Sequence, residues 1–503
     1  MKVLLTTLNS KYVHSNLALK YLYCVAADSD LDLHLQEFTI NNDMTYVYTE
    51  MVRGGFDVVC FSCYIWNIEK IVQLGAELKK ACPELKILLG GPEVSYEAED
   101  FLTQNAWADY IIKGEGERPF FQFCKELVLN RKEFNRVEGL VYRNHGQICS
   151  NPIGQLLPMD RVPFPYERLE IEQDKVIYYE SARGCPFQCS YCLSSLETSM
   201  RMLSLERTFR DLRYFLFHEV KQVKFIDRTF NINGDRAFEI WQYLIHNDNG
   251  KTNFHFEICG ELIEDRHLQL LSKARKGLFQ LEIGIQSTNA NTLKAVDRSE
   301  HIQKTLERVE KLVELGNMHI HVDLIAGLPE EGYKSFAASF NQVYALGADN
   351  LQLGFLKLLK GTKIRKQAET YGYVYRDEAP YELIANHHMS AIDLVKLKMI
   401  EHVLDLYDNK GGFSKTIAFL MPIVGNSPFH FYEQLADYFY GNGYQHRSHK
   451  KEDLYRIFMG FLLDKKRLDD ETVNQGKALL AEDIADTMNV DVVKRFHKKG
   501  WEI

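Results

Sequence analysis

Arg183-Gly184-Cys185-Pro186-Phe187-Gln188-Cys189-Ser190-Tyr191-Cys192 sets three cysteines in a C-x3-C-x2-C array. A cube of four irons is closed by four thiolates, so three leave one iron open to another ligand. A structural zinc site asks for a fourth Cys or His close by. The next ones, Cys149 and His218, stand at no usual finger spacing. Three buried free cysteines are the remaining reading of the same residues. The cluster reading makes Cys185, Cys189 and Cys192 metal ligands, and the stretches around them decide what the open iron holds.

Working outward, strand-like runs at 176–181, 223–226, 254–259, 281–285, 319–325 and 350–355 alternate with helical patterns. Six βα units predict a partial (β/α)6 TIM-type barrel over residues 173–375, with chemistry at the C-terminal ends of its strands. Those ends carry polar groups. Asp227 follows Phe225-Ile226, and Glu257 lies in Phe256-Glu257-Ile258-Cys259-Gly260-Glu261. Gln286 ends Glu282-Ile283-Gly284-Ile285-Gln286, Arg298 ends Thr292-Leu293-Lys294-Ala295-Val296-Asp297-Arg298, and Asp323 opens Asp323-Leu324-Ile325-Ala326-Gly327-Leu328-Pro329. Each also has a plain structural reading: a helix cap for the acids, a surface cation for Arg298, a small core residue for Cys259.

The cysteine spacing, with the aromatic Tyr191 just before the third cysteine, resembles the signature of the radical S-adenosylmethionine (SAM) superfamily. The order of strand-end motifs resembles oxygen-independent coproporphyrinogen oxidases and their radical SAM relatives. The resemblance implies a [4Fe–4S] cluster whose open iron takes the amino and carboxylate groups of SAM. It implies SAM contacts at Glu257, Gln286, Arg298 and Asp323, with Tyr191 beside the cofactor. Asp227 stands where the family's Gly-Gly-Glu element holds the SAM amino group, although the glycines are absent. An arginine on the methionyl carboxylate and acids on ribose hydroxyls make physical sense.

Residues 1–135 also alternate strands and helices, which predicts an open parallel sheet of Rossmann type with ligands at its strand ends. Three stretches resemble the cobalamin-binding domain that precedes many radical SAM barrels: Cys60-Phe61-Ser62-Cys63-Tyr64-Ile65-Trp66-Asn67, Leu89-Gly90-Gly91-Pro92-Glu93-Val94-Ser95, and Ile112-Lys113-Gly114-Glu115-Gly116-Glu117. The resemblance implies cofactor contacts at Tyr64, Trp66, Gly90, Gly91, Glu93, Ser95, Gly114 and Glu115. Gly90 and Gly91 admit a ligand close to the backbone, and helix N-termini there meet a phosphate. A Rossmann-like domain with no ligand, its glycines serving only tight turns, is the plainer reading. Gly-Pro-Glu lacks the G-x-G-x-x-G spacing of a nicotinamide site. Asp32-Leu33-His34-Leu35-Gln36-Glu37 is a near miss to the cobalt-ligating Asp-x-His-x-x-Gly. It reads as an alternating strand, so no protein imidazole is expected on cobalt.

Between these domains, residues 136–172 read as a small hairpin and a Pro-rich linker. Residues 376–503 read as a helical domain, which resembles an uncharacterised domain attached to some members of the group. Short basic runs at 447–451 and 494–499 read as solvated faces. Composition is that of an ordinary soluble protein, 46% hydrophobic and 26% charged with net charge −9. It offers no global pull toward phosphate. Ten cysteines in 503 residues are no secreted disulfide scaffold. No run approaches the ~18 apolar residues of a membrane span, and a reducing cytoplasm suits the cluster. The resulting expectation is an α/β enzyme with a [4Fe–4S] cluster, SAM and cobalamin that methylates an unactivated carbon. It takes electrons from a donor such as flavodoxin or ferredoxin and acts on a small molecule, peptide or RNA. Ring formation, rearrangement or tRNA modification without methylation is the enzymatic rival, and a non-catalytic cobalamin or SAM sensor the other.

Overall fold

In the computed structural model, residues 1–131, 133–299, 301–464 and 468–498 are described. They divide into two compact units. The first holds Met1–Gln280 with Lys357–Gln367 and Tyr375–Glu382; the second holds Leu281–Leu356, Ala368–Val374 and the chain from Leu383 onward.

The first unit opens with a seven-stranded sheet. Its strands are β1 (Lys2–Asn9), β2 (Asp32–Thr39), β3 (Val58–Ser62), β4 (Lys86–Gly90), β5 (Tyr110–Ile112), β6 (Leu140–Asn144) and β7 (Gln147–Ser150), in the order β2-β1-β3-β4-β5-β6-β7. The first five run parallel to one another. All five residues of β3, Val-Val-Cys-Phe-Ser, are buried, as a parallel strand covered on both faces requires. Alternation along β1 sends Leu4 and Leu8 into one apolar core and Val3 and Leu5 into the other.

The boundary expected at residue 135 moves. The hairpin of β6 and β7 is no linker, because β6 pairs antiparallel with β5 and extends the sheet. A three-residue β5 at a bare edge would leave its backbone groups open, and β6 satisfies them.

Three barrel strands follow in this unit: β8 (Ile177–Tyr179), then, after the two-stranded ribbon of β9 (Ala182–Arg183) and β10 (Arg201–Met202), β11 (Gln222–Phe225) and β12 (Asn253–Ile258). β11 lies between β8 and β12 and runs parallel to both. Behind them Phe225, Phe230, Phe256 and Trp241 form a buried aromatic layer, with ring centroids 4.5 Å apart for Phe225–Phe256 and 4.3 Å for Phe230–Phe256.

The second unit carries β13 (Phe279–Gln286) from Leu281 onward, β14 (His319–Ala326) and β15 (Asn350–Phe355), with β14 between the others and parallel to β15. Burial alternates strictly along β13 and β14. Leu281, Ile283 and Ile285 are buried on one face, while Glu282, Gly284 and Gln286 take the other. Val322 and Leu324 are buried, while His321 and Asp323 take the other face. These sets of parallel strands are the partial TIM-type barrel that the alternation predicts.

Beyond the barrel the chain is helical: Ala391–Leu404, Ser414–Val424, Pro428–Gly441, Lys451–Leu462, Asp470–Thr487 and Val490–Lys498. A π-turn at Asp405–Asn409 gives this domain a seat on β15. The Asn409 amide accepts from Leu351 N–H and donates to Leu351 C=O, each at 3.0 Å, and so mimics a neighbouring strand. The basic run at 494–499 lies outside the described side chains.

Candidate functional site

The cysteine loop leaves the barrel just after β8, and its neck is the β9–β10 ribbon, with Arg183 opposite Arg201 and Ala182 opposite Met202. Cys185 and Cys189 are buried, Cys192 is half-buried, and all are free thiols. Two backbone bonds fold the loop: Cys185 N–H to Glu197 C=O at 3.1 Å and Cys192 N–H to Cys189 C=O at 3.0 Å. Gly184 has φ of +88°, and a Cβ there would lie 2.3 Å from Ser199 O, so the approach of the two loop arms demands glycine. Cys192 Sγ accepts from Ser194 N–H at 3.4 Å, and Cys185 Sγ lies 3.6 Å from Thr229 Oγ1. Such donors stabilise ligating thiolates and tune a cluster. Among the described residues, no three His, Cys, Asp or Glu side chains converge tightly enough for one ion. Three thiols on one loop, with a backbone N–H directed at one sulfur, are the donor chemistry that a [4Fe–4S] cluster takes. Tyr191 sits half-buried within the loop, and Ile364 N–H donates to Ser190 C=O at 2.9 Å, pinning the same turn.

At the end of β11 the structure gives Asp227 a role other than the expected one. Its Oδ1 accepts from the N–H groups of Ser181 (2.7 Å) and Ala182 (3.1 Å), and its Oδ2 from the Ser181 hydroxyl (2.5 Å). With both oxygens so engaged and only 2% of the residue exposed, the carboxylate ties the strand end to the entrance of the cysteine loop. Burial pushes its pKa up to about 6 against those three hydrogen bonds. Glu257 stands on the polar face of β12, 3.6 Å from Lys224 of β11.

In the second unit, Gln286 ends β13 with φ of +72°, a left-handed conformation that a side chain rarely adopts. Its buried Oε1 has no hydrogen-bond partner. Backbone strain of this kind gathers where a ligand is gripped. Arg298 donates through Nη2 to the Gly284 carbonyl, and Asp323 shares the polar face of β14 with His321.

Glu331 fastens the loop after β14 to the end of β13. Its Oε1 accepts from Ser287 (2.8 Å) and Ser339 (2.9 Å), and it is fully buried. Burial pushes its carboxyl up to about 7. The folded state therefore holds this proton more tightly than the unfolded state, and stability falls as pH rises through about 4.5 to about 7. Glu331→Gln should remove that component. Between about pH 5 and about pH 8, wild type should lose up to about 3 kcal/mol more stability than the variant in urea unfolding. Parallel losses in both proteins would mean that Glu331 titrates normally.

The first domain presents its loops at the C-terminal ends of β1, β3 and β4. Tyr64 and Trp66 stack with centroids 4.4 Å apart and planes within 5°. The platform is pinned by Trp66 Nε1–H to Leu8 O at 3.1 Å and by Asn67, whose amide donates to Thr7 Oγ1, Leu8 O and Ser62 O. Trp66 keeps 43% of its surface exposed, enough for a flat partner. Gly91 has φ of +104° and passes so close to Cys63 that a Cβ would sit 2.5 Å from its carbonyl oxygen. At Gly90 an added Cβ would meet nothing nearer than 3.9 Å, so a ligand can reach the backbone there. An aromatic platform beside an open glycine turn fits a large planar cofactor such as cobalamin.

Three predicted contacts in this domain are side chains already engaged by protein. Glu93 is buried and accepts from Tyr381 OH at 2.8 Å, burial raising its pKa. Ser95 donates to Gly91 O at 2.8 Å. Glu115 pairs with Arg183 and Arg201. Gly114, at φ of +74°, makes the turn before it. His34 lies in the middle of β2, 3.0 Å from Asp32. Ser181, Thr229, Glu117 and Glu180 were missed by sequence reasoning. Their positions follow from contacts, and only the adjacency of Glu180 to the cysteine motif signalled one of them.

A Radical SAM superfamily model matches residues 179–343, a B12 binding domain model matches residues 3–123, and "Protein of unknown function (DUF4080)" matches residues 369–502. The chain is 24% identical over 339 residues to the 2-(S-pantetheinyl)-carbapenam-3-carboxylate methyltransferase of Streptantibioticus cattleyicolor, covering 64% of this chain and 50% of that one. It is 23% identical over 424 residues to the cobalamin-dependent radical SAM methyltransferase TokK of Streptomyces tokunonensis, covering 76% and 62%. It thus spans about half to three fifths of the length of these curated relatives. Its fold is that of the cobalamin-dependent SAM radical enzyme OxsB solved with aqua-cobalamin, at a TM-score of 0.65 and 13% identity over 100% of this chain and 84% of the other. A B12 binding domain followed by a radical SAM barrel defines the class. The chain joins a B12 binding domain, a radical SAM domain and a DUF4080 domain in that order, and in the first two it is similar to cobalamin-dependent radical SAM enzymes.

Proposed function

We propose that this chain is an enzyme that methylates an unactivated carbon with a [4Fe–4S] cluster, SAM and cobalamin. The observation that carries the reading lies within the first unit. The loop bearing the three cysteines is bonded directly to a loop of the B12 binding domain, through Arg183 to Glu115 at 3.1 Å and to Glu117 at 2.5 Å. When bound, the cluster supplies an electron to SAM and cobalamin supplies the methyl group. Cys185, Cys189 and Cys192 would hold the cluster, with a hydrogen bond from Ser194 N–H on the Cys192 sulfur. Arg298 pairs with the SAM carboxylate, Glu257 and Asp323 accept from its hydroxyls, and the strained Gln286 adds an amide contact. Tyr64 and Trp66 would hold the cobalamin beside their stacked rings, with backbone contacts at Gly90, Gly91 and Gly114. His34 stays in its strand, so no imidazole reaches cobalt. A flavodoxin- or ferredoxin-type donor supplies the electron in a reducing cytoplasm. No helix among the described residues is long and apolar enough to cross a membrane.

With reductant and true substrate, a methyl transfer of this kind consumes SAM in two ways. 5′-Deoxyadenosine and S-adenosylhomocysteine should appear in about equal amounts beside a product that has gained a methyl group. 5′-Deoxyadenosine alone, with an unmethylated product, would replace this reading by ring formation or rearrangement. Neither product, with cofactors bound, would replace it by a sensor.

A further inference from the structure

Arg183 and Arg201 face each other across the ribbon that closes the neck of the cysteine loop. Like charges directly opposite on antiparallel strands repel. Both side chains are largely buried, 11% and 17% exposed, so solvent screens them poorly. The neck needs a counter-charge, and part of it comes from outside the loop. Glu115 accepts from Arg183 Nη1 at 3.1 Å, from Arg201 Nη1 at 3.3 Å and from Arg201 Nη2. The remaining partners are one-sided. Glu117 (2.5 Å) and Glu180 (2.8 Å) hold only Arg183, while Glu197 (2.8 Å) holds only Arg201. Among the contacts of these two arginines, Glu115 alone bridges both.

We propose that Glu115 is the latch through which the first domain keeps the cysteine loop closed. It is a positioning residue for the cluster and not a cobalamin ligand, and the proposal rests on the cluster reading given above. Without this carboxylate, Glu117 and Glu180 still neutralise Arg183 and Glu197 still neutralises Arg201, but the tie that spans both guanidinium groups is lost, and the ribbon parts. Opening the neck shifts Cys185, whose N–H is bonded to Glu197 just inside it.

The test is the rate at which an iron chelator strips the anaerobically reconstituted full chain. Glu115→Gln should speed iron loss at least tenfold, while cobalamin uptake and far-UV circular dichroism stay as in wild type. Arg201→Gln cuts the same bridge, so the double variant Glu115→Gln with Arg201→Gln should lose iron no faster than Glu115→Gln alone. That non-additivity is one that a general loss of packing does not produce. Arg201→Gln alone, which should also speed iron loss, keeps the proposal testable if Glu115→Gln fails to fold. Unchanged iron loss in Glu115→Gln, or a double variant whose iron loss multiplies the effects of the two single ones, overturns the latch. Loss of cobalamin with unchanged iron retention makes Glu115 a cofactor contact and overturns it equally. A wild-type chain that takes up no iron removes the cluster reading itself, an outcome visible before any variant is made.

Discussion

Replacement of Cys185, Cys189 and Cys192 together by alanine should yield a folded protein that binds no iron after anaerobic reconstitution, where wild type binds about four per chain. The expectation has two parts. The fold should survive because each exchange removes one sulfur from a loop that contains no disulfide, and the residues left behind keep other partners. Thr229, for example, still donates to the Arg228 carbonyl at 2.8 Å. The cluster should not survive because its three thiolate ligands are gone. Iron bound to the triple variant at the wild-type level would end the radical SAM reading of this loop.

Arg298→Ala should weaken SAM binding at least tenfold, a loss of about 1.4 kcal/mol or more, while iron content stays at the wild-type level. The backbone N–H of Arg298 donates to Leu293 C=O at 2.9 Å, and its guanidinium Nη2 donates to the Gly284 carbonyl on the polar face of β13. Gly284 makes room for this arrangement. A Cβ there would fall 2.1 Å from the Gln286 amide nitrogen and 3.6 Å from Arg298 Nη2. Arg298 and Gln286 are thus gathered over one strand in the second unit, an arrangement suited to a carboxylate. Arg298→Lys should retain part of the affinity, because it keeps the charge and loses the planar fork. Equilibrium dialysis that shows equal SAM affinity for wild type and Arg298→Ala would give the residue a structural role in place of a SAM contact.

Much of this was legible in the sequence because it follows from spacing. The cysteine array fixes a loop chemistry within nine residues. The two-residue period of β13 and β14 separates Ile283 and Val322, which face the core, from Gln286 and Asp323, which do not. The left-handed turn at Gly91 was legible for the same reason, since glycine there answers a local need. What escaped notice was long-range. Arg183 meets Glu117 across 66 positions, and Arg201 meets Glu115 across 86, and no periodicity records such pairs. Asp227 looked like a ligand because it ends a barrel strand, yet the N–H groups of Ser181 and Ala182 had no strand partner and claimed it. The hairpin of β6 and β7 is legible in the sequence as a hairpin, but its pairing with the edge of β5 is a long-range contact that no local pattern records.

The account stands on one chain holding two cofactors, an iron–sulfur cluster beside the barrel and cobalamin in the first domain. Metal analysis of the full chain, reconstituted without oxygen and freed of unbound cofactor, tests that claim most directly. The predicted result is about four irons together with about one cobalt per chain. A folded chain that carries its irons and retains no cobalt would contradict it.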